Sequence, residues 1–231
     1  MLAWSEIENV LLDMDGTLLD LHFDNEFWRE LVPARYAQLH GMSVEEAKAH
    51  LYPVFRAAEG TMNWYCLDYW SEQLQLDIAL LKREIEHLIA VHPHTVDFLD
   101  ALRAAGKRVL LVTNAHPKSL ALKMERTRLE GHFDVVVSAH HYGRPKEDRR
   151  FWQGLRGDHR FDPEQTLLVD DSLPVLRSAR AYGIAHLLAV LRPDSRGPVR
   201  DVAEFRAIES FADIMPTGPV TGRPGGVDPS A

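Results

Sequence analysis

Residues 10–17 read VLLDMDGT, a short aliphatic run that ends abruptly on an aspartate. Two later runs have the same form: VLLV at 109–112 precedes Thr113, and LLV at 167–169 precedes Asp170. Aliphatic runs of this kind are typical of strands that are buried on both faces, as in a parallel α/β sheet. Ligands bind outside the carboxyl ends of such strands. The sequence therefore predicts that the polar residues that follow these three runs meet at one edge of a sheet.

Strand-like and helix-like stretches alternate along the second half of the chain. Aliphatic runs recur at 135–137 and 187–190, and the segments between the strands carry apolar residues at helical spacing. Such alternation predicts βαβ crossovers and therefore an α/β fold with a Rossmann-like, doubly wound parallel sheet. We expect residues 1–19 and 93–215 to form this core.

Residues 20–92 contain most of the tryptophans, with apolar residues at helical spacing and no clear strand. We interpret this segment as a helical insertion that covers the carboxyl end of the sheet. Trp70 is expected in its core, and Pro53 and Gly60 are expected to break or separate its helices. The tail, residues 216–231, is rich in proline and glycine, so it is predicted to be disordered.

Composition narrows the class of protein. The net charge of the 231 residues is −8, which argues against a nucleic-acid partner, because such proteins usually carry a basic surface. No apolar stretch approaches the roughly 18 residues that cross a bilayer, and the first residues lack the basic region of a secretory signal. Cys66 is the only cysteine, which excludes a thiolate metal cluster and favours the cytoplasm. His140 and His141 are expected to be an exposed pair rather than a metal site.

Asp13 and Asp15 carry the chemistry that the first motif predicts. A carboxylate at a strand end can attack phosphorus as a nucleophile and form an acyl phosphate. A second acid two residues later can protonate a leaving oxygen and then deprotonate water. Gly16 allows a tight turn, and Gly16 and Thr17 are expected to bind substrate. The alternative is an Asp-rich turn that only closes a strand.

Thr113, Asn114 and Lys146 are candidates for binding a phosphoryl group. The Thr113 hydroxyl and the amides that follow it can bind non-bridging oxygens, although Thr-Asn pairs also cap helices. Lys146 lies near a predicted helix start, where the helix dipole disfavours a cation. This misfit suggests that Lys146 neutralises the nucleophile and the phosphoryl oxygens. A solvated surface lysine is the alternative.

Asp170 and Asp171 are adjacent acids at the end of a predicted buried strand. Their carboxylates repel each other unless a cation is present. With Asp13 they form an all-oxygen environment that suits Mg²⁺ better than zinc. We expect the Asp15 backbone carbonyl to complete this ligand set. We expect Asp171 to cap the following helix and still help to hold the metal. The alternative is that Asp171 is only a helix cap and Asp170 is incidental.

The four motifs together resemble those of the haloacid dehalogenase superfamily. Their order is D-x-D-G-T, hydrophobic-T-N, P-K-E and hydrophobic-D-D, over residues 10–171. In that superfamily Asp15 is typical of phosphatases and mutases, and the long insertion after the first motif resembles a helical type-1 cap. The segments LLDMDGTLLDLHFDN, NWYCLDYWSEQL, LVTNAHP, PKED and LVDDS are similar to the bacterial GMP/IMP nucleotidase group.

The resemblance implies a Mg²⁺-dependent phosphatase that hydrolyses a small-molecule phosphate monoester, with a purine 5′-monophosphate as the expected substrate. FMN, phosphoglycolate and sugar phosphates stay open as substrates, and a phosphomutase stays open as a reaction. Asn63 and Tyr65 are candidate substrate contacts in the insertion, and Trp64 could stack on a purine. The sequence makes no prediction of oligomeric state.

Two alternatives are not enzymes. A phospho-signalling receiver domain also uses a phosphorylated aspartate, an acid pair, a hydroxyl and a lysine. In receivers the acid pair comes first in the chain and no cap is inserted, whereas here Asp170 and Asp171 come last. A degenerate phosphatase scaffold would act in binding only, and the intact motif residues speak against it.

Overall fold

One six-stranded parallel sheet forms the centre of the computed structural model, which describes residues 2–216. Its strands are β1 (Asn9–Leu12), β2 (Arg108–Thr113), β3 (Val135–Ser138), β4 (Thr166–Val169), β5 (His186–Val190) and β6 (Ala207–Ile208). Their order across the sheet is β3-β2-β1-β4-β5-β6, and every neighbouring pair is parallel. The chain winds outward from β1 in both directions, so the predicted doubly wound α/β fold is confirmed. In such sheets the crevice beside the central strand is the usual ligand site.

The register of the central strands aligns their carboxyl ends. Leu12 of β1 lies opposite Leu111 of β2 and Val169 of β4. The backbone N–H of Asp13 then donates to the Val169 carbonyl oxygen at 3.1 Å. The residues that follow β1 and β4 therefore emerge side by side at one edge of the sheet.

Helices fill the segment between β1 and β2. They are α1 (His22–Glu26), a π-helical turn (Phe27–Leu31), α2 (Val32–His40), α3 (Val44–Ala58), α4 (Met62–Tyr65), α5 (Leu67–Leu74) and α6 (Ile78–Glu84). Trp70 is fully buried among them, as expected. Leu19 forms an isolated antiparallel bridge with Val91, so the chain leaves the sheet and returns at neighbouring points. The division of the chain at residues 19/20 and 92/93 stays a prediction.

Pro53 does not break a helix, contrary to the expectation from the sequence. It lies inside α3, which runs unbroken from Val44 to Ala58 and starts at a capping box formed by Ser43 and Glu46. Leu51 and Phe55 anchor the opposite, buried face of this helix. Pro53 itself is exposed, so water can solvate the carbonyl group that the proline leaves without a donor.

Helices cover both faces of the sheet. The core helices are α7 (Thr95–Ala104), α8 (Pro117–Thr127), α9 (Arg149–His159) and α10 (Leu173–Tyr182). Leu12 belongs to the apolar cluster that contains Phe98 of α7. Its neighbour Leu11 belongs to the opposite cluster, which contains Trp152 of α9. β1 is a continuous apolar run because the side chains on both faces of this strand are buried.

Within residues 2–216, the structure contains no helix with the length and apolar character that crossing a bilayer requires. The predicted disordered tail, residues 216–231, lies outside the described residues except for Pro216.

Candidate active site

Lys146 lies between two of the predicted acidic residues. Its Nζ atom is 2.5 Å from Asp13 Oδ1 and 2.7 Å from Asp170 Oδ2, and it donates a hydrogen bond to the Val112 carbonyl oxygen at 3.0 Å. The side chain is buried, with 2% of its surface exposed. Burial alone would lower the pKa of Lys146, but Asp13 and Asp170 raise it above its ordinary value. Lys146 is therefore a buried cation, and the surface-lysine alternative is wrong.

Three acids converge at the ends of β1 and β4. One carboxylate oxygen from each of Asp13, Asp170 and Asp171 lies within 4.8 Å of the others. Burial, with repulsion between the carboxylates, raises the pKa of Asp13 to about 7 and that of Asp171 to about 7. Burial also raises the pKa of Asp170 to about 6. Lys146 supplies one positive charge to this group, so the acids provide an environment for a further cation.

Gly16 allows Asp171 to approach the turn that follows β1. A Cβ atom at Gly16 would lie 2.8 Å from both Cγ and Oδ2 of Asp171, and the φ angle of +84° at Gly16 disfavours any other residue. Asp171 is held from the other side by Arg200, whose Nη1 donates to Oδ2 at 2.9 Å. The N-cap position of α10 is Ser172, without a side-chain cap. Asp171 therefore faces the acidic cluster and does not cap the helix.

A chain of buried charges extends from Asp15 into the helical insertion. Lys123 Nζ of α8 lies 2.6 Å from Asp15 Oδ1 and 2.6 Å from Asp24 Oδ2. Lys82 of α6 lies 2.8 Å from Asp24 Oδ1, and its Nζ sits 4.4 Å from the ring centre of Phe27. Burial raises the pKa of Asp15, which Lys123 partly offsets. The Asp15 carboxylate thus faces Lys123 and is separate from the three converging acids, so only its backbone carbonyl stays in the predicted metal ligand set.

A second polar chain joins the insertion to the loop that carries Lys146. Asn114 Oδ1 accepts from the Lys146 backbone N–H at 2.9 Å, and its Nδ2 donates to Glu147 Oε2 at 3.0 Å. The Tyr65 hydroxyl donates to Glu147 Oε1 at 2.5 Å. Burial and the Glu147 charge raise the pKa of Tyr65. Asn114 therefore positions the Lys146 loop, and Tyr65 reaches that loop from α4.

A large cavity of about 1030 Å³ opens at this edge of the sheet. Eight of the predicted site residues line it: Asp13, Asp15, Tyr65, Thr113, Asn114, Lys146, Asp170 and Asp171. The insertion contributes the aromatic residues Trp28, Tyr52, Phe55 and Trp64 to the wall. The structure thus brings most of the predicted residues around one space.

Three predicted substrate contacts do not line this cavity. Asn63 is exposed to solvent on α4 and lies outside the cavity wall. Thr17 is buried and contributes to a separate, smaller cavity. Gly16 packs against Asp171. The turn after β1 directs Asp13 and Asp15 into the cavity, while α4 directs Tyr65 inward and Asn63 outward. Substrate binding by Gly16, Thr17 and Asn63 stays a prediction that the cavity lining does not support.

The sequence reasoning did not assign roles to Lys82, Lys123 and Glu147. Lys82 and Lys123 interrupt the apolar faces of α6 and α8, and this interruption is the one signal that was available. Asp24 was close to the first motif, but its partners are 58 and 99 residues away.

The histidines near the cavity differ from the expectation. His141 is exposed, whereas His140 is half-buried, so the prediction of an exposed pair holds for His141 alone. His116 is buried at the N-cap of α8, where its Nδ1 accepts from the Lys118 N–H at 3.3 Å. The imidazole rings of His116 and His140 are 4.8 Å apart.

Comparison with known proteins identifies the family of this site. Residues 7–183 match the family described as haloacid dehalogenase-like hydrolase. The chain belongs to the haloacid dehalogenase-like hydrolases. The match covers all four motifs, from the strand before Asp13 to the helix after Asp171. The resemblance inferred from the sequence is confirmed, and the chain is a phosphatase of this family.

Similar proteins within the family are also phosphatases. The chain is 41% identical over 216 residues to the GMP/IMP nucleotidase YrfG of Escherichia coli, a match that covers 94% of this chain and 97% of the relative. It is 31% identical to a phosphoglycolate phosphatase of Nitrosospira multiformis, covering 86% of this chain and 88% of that protein.

Solved structures of the haloacid dehalogenase-like hydrolases share the fold. A phosphatase of the superfamily from Thermococcus onnurineus superposes with a TM-score of 0.74 at 23% identity, covering 90% of this chain and 95% of that one. At this level of identity the likeness shows the fold alone.

Proposed function

We propose that the protein hydrolyses purine 5′-mononucleotides with the help of Mg²⁺ and through an acyl phosphate on Asp13. The observation that carries the chemistry is the position of Lys146, which joins Asp13 to Asp170 at the point where Asp171 also converges. A nucleophilic carboxylate, a buried cation and an oxygen-only ligand set are the parts that phosphoryl transfer requires.

The acidic cluster fits Mg²⁺. Asp13, Asp170 and Asp171 would hold the ion, with the Asp15 backbone carbonyl as a further ligand. Their donor atoms are all oxygens, which Mg²⁺ prefers, and their raised pKa values follow from burial and mutual repulsion. When bound, the ion offsets the repulsion between the carboxylates and a phosphate dianion and stabilises negative charge on the phosphoryl oxygens.

In the first half-reaction, an oxygen of Asp13 attacks phosphorus in line with the ester bond. The new Asp13–phosphorus bond forms as the bond from phosphorus to the leaving oxygen breaks. Asp15 gives its proton to that oxygen, and the nucleoside leaves as an alcohol. Burial raises the pKa of Asp15, which favours the protonated form that this step needs. Lys146 and the Thr113 hydroxyl stabilise charge on the phosphoryl oxygens.

In the second half-reaction, Asp15 removes a proton from water. The water oxygen attacks phosphorus, the Asp13–phosphorus bond breaks, and inorganic phosphate leaves. Asp13 returns as a carboxylate and Asp15 is protonated again, so the cycle is balanced. Lys123 holds Asp15 beside the cavity through both steps.

The size and lining of the cavity support a nucleotide as the substrate. Its volume of about 1030 Å³ is at the upper end of the range for small-molecule sites, about 300–1,000 Å³. Trp28, Trp64 and Tyr65 line it on the side of the insertion, and aromatic faces can stack on a purine. A relative that is 41% identical is named for GMP and IMP.

Phosphoglycolate is the second candidate substrate, because a relative that is 31% identical is named for it. A two-carbon phosphate would leave most of the aromatic wall without contact. The volume of the cavity therefore favours the nucleotide.

A phosphate-release screen in the presence of Mg²⁺ tests the proposal. The substrates are GMP, IMP, AMP, FMN, phosphoglycolate and a sugar phosphate, and Asp13→Asn is the inactive control. We expect the highest kcat/KM with GMP and IMP. A flat profile over nucleotides with a strong response to phosphoglycolate would overturn the assignment of substrate and leave the chemistry intact.

A further inference from the structure

A cluster of soft and borderline metal ligands lies beside the cavity, separate from the acidic cluster. One donor atom from each of Cys66, His116 and His140 lies within 4.8 Å of the others. Cys66 sits between α4 and α5, His116 precedes α8, and His140 lies in the turn after β3. Three distant segments therefore place a thiol and two imidazoles together.

The histidines present nitrogen atoms of the right kind to the cluster. His116 Nδ1 is used in accepting from the Lys118 N–H, which leaves Nε2 for another partner. His140 Nε2 is a buried atom that has no hydrogen-bond partner among the described residues 2–216.

Cys66 and Asp68 complete the donor set. The Cys66 Sγ accepts from the Tyr69 backbone N–H at 3.4 Å at the start of α5. Asp68 Oδ2 lies 3.6 Å from His116 Nε2, although Lys118 also pairs with this carboxylate. In a tetrahedral zinc site, bonds of about 2.0–2.3 Å place the ligand atoms about 3.3–3.6 Å from one another. Since the three donor atoms lie within 4.8 Å of one another, they need to approach by at most about 1.5 Å.

We propose that Cys66, His116 and His140 bind one Zn²⁺ ion, with Asp68 or water as the fourth ligand. Thiolate and imidazole donors select zinc over Mg²⁺, which takes oxygen ligands. Because Cys66 belongs to the helical insertion and both histidines belong to segments next to the sheet, the ion ties the two together. Zinc in this site therefore stabilises the folded chain.

Cobalt(II) is a direct probe, because a thiolate bound to Co²⁺ gives a charge-transfer band in the near ultraviolet. Cys66 is the only cysteine in the chain, so such a band reports this site alone, even when Co²⁺ also enters the acidic cluster. The titration is made on the full chain in thiol-free buffer with excess Mg²⁺. We expect the band in the wild type and in the exposed control His141→Gln, its absence in Cys66→Ser, and its weakening in His140→Gln.

Zinc affinity and thermal stability give a second measurement that does not depend on catalysis. In competition with a chromophoric chelator, His140→Gln should weaken Zn²⁺ binding at least about tenfold. Zn²⁺ should raise the Tm of the wild type and of His141→Gln but not that of Cys66→Ser. A wild type without the charge-transfer band, or equal zinc affinity in the wild type and His140→Gln, would overturn the site. Neither result bears on the proposed hydrolysis.

Discussion

Lys123 Nζ lies 2.6 Å from Asp15 Oδ1, and the same atom lies 2.6 Å from Asp24 Oδ2. One buried lysine thus connects the proposed general acid to the helical insertion. Asp24 in turn contacts Lys82 of α6. Any movement of the insertion relative to the sheet acts on the position of Asp15 through this chain of charges.

Lys123→Met should impair proton transfer to the leaving group. We expect kcat/KM for a nucleoside monophosphate to fall by about 10- to 100-fold, a part of the roughly 10²–10⁴ that general acid–base catalysis provides. The loss should be smaller with p-nitrophenyl phosphate, whose leaving group needs little protonation. Lys118→Met, at an exposed lysine of the same helix, is the matched control and should retain activity. An equal loss with both substrates would assign Lys123 a purely structural role.

Asp15→Asn should separate the two half-reactions. With p-nitrophenyl phosphate, attack by Asp13 can proceed, while release of phosphate slows because no base activates water. Rapid mixing should show a burst of p-nitrophenol close to one equivalent of enzyme, followed by slow turnover. Steady-state turnover of p-nitrophenyl phosphate at the wild-type rate would exclude Asp15 as the base that activates water.

Gly16→Ala should weaken the acidic cluster. A Cβ atom there would lie 2.8 Å from the Asp171 carboxyl group, so Asp171 must move and the Mg²⁺ concentration for half-maximal activity should rise. Gly41→Ala is the matched control, since φ is +65° and no atom lies within 4 Å of its added Cβ. Both variants should lose about 1–2 kcal/mol of stability from the left-handed backbone, whereas only Gly16→Ala should need more Mg²⁺. A normal Mg²⁺ requirement in Gly16→Ala would contradict the packing argument.

Asp24→Asn should destabilise the fold. The change leaves Lys82 and Lys123 buried with less negative charge, and removing one partner of a buried ion pair costs about 3–5 kcal/mol. Glu84→Gln on α6 is the control, because Glu84 pairs with Arg35 at an exposed position and should change stability by at most about 1 kcal/mol. Urea unfolding at neutral pH compares the two variants. A loss of stability as small as that of the control would show that this network contributes little.

The contribution of Asp24 to the free energy of unfolding should depend on pH. Burial alone would raise the pKa of Asp24, but Lys123 and Lys82 lower it well below its ordinary value of 3.8. A lowered pKa in the folded state stabilises the protein above the ordinary value, and this contribution is lost as the pH falls below it. The difference in unfolding free energy between the wild type and Asp24→Asn should therefore narrow as the pH is lowered below about 4.

The sheet and the acidic edge were predictable because they depend on local patterns. Aliphatic runs before Asp13, Thr113 and Asp170 predict buried parallel strands, and parallel strands place their carboxyl ends at one edge. The role of Lys146 was predictable because a cation near a helix start is disfavoured by the helix dipole and because the other motifs surround it.

The side-chain partners across the insertion were not predictable in the same way. In a sequence, a lysine within a helix is usually interpreted as a solvated residue. Only the tertiary fold shows that Lys123 and Lys82 both contact Asp24. The prediction that Pro53 breaks a helix was wrong because it considered only the local effect of proline on the backbone. It did not consider the buried face that keeps α3 continuous. Asn63 and Tyr65 are two residues apart, so the orientation of α4 decides which of them faces the cavity.

The central claim is that Asp13 becomes phosphorylated during turnover. Enzyme mixed briefly with GMP is quenched in acid and reduced with borohydride, which converts an aspartyl phosphate to homoserine, and the peptides are mapped by mass spectrometry. The account predicts homoserine at position 13 in samples with substrate, a larger yield in Asp15→Asn with p-nitrophenyl phosphate, and none without substrate. Unmodified Asp13 in an Asp15→Asn sample that has released its burst of p-nitrophenol, or homoserine at another position, would contradict it.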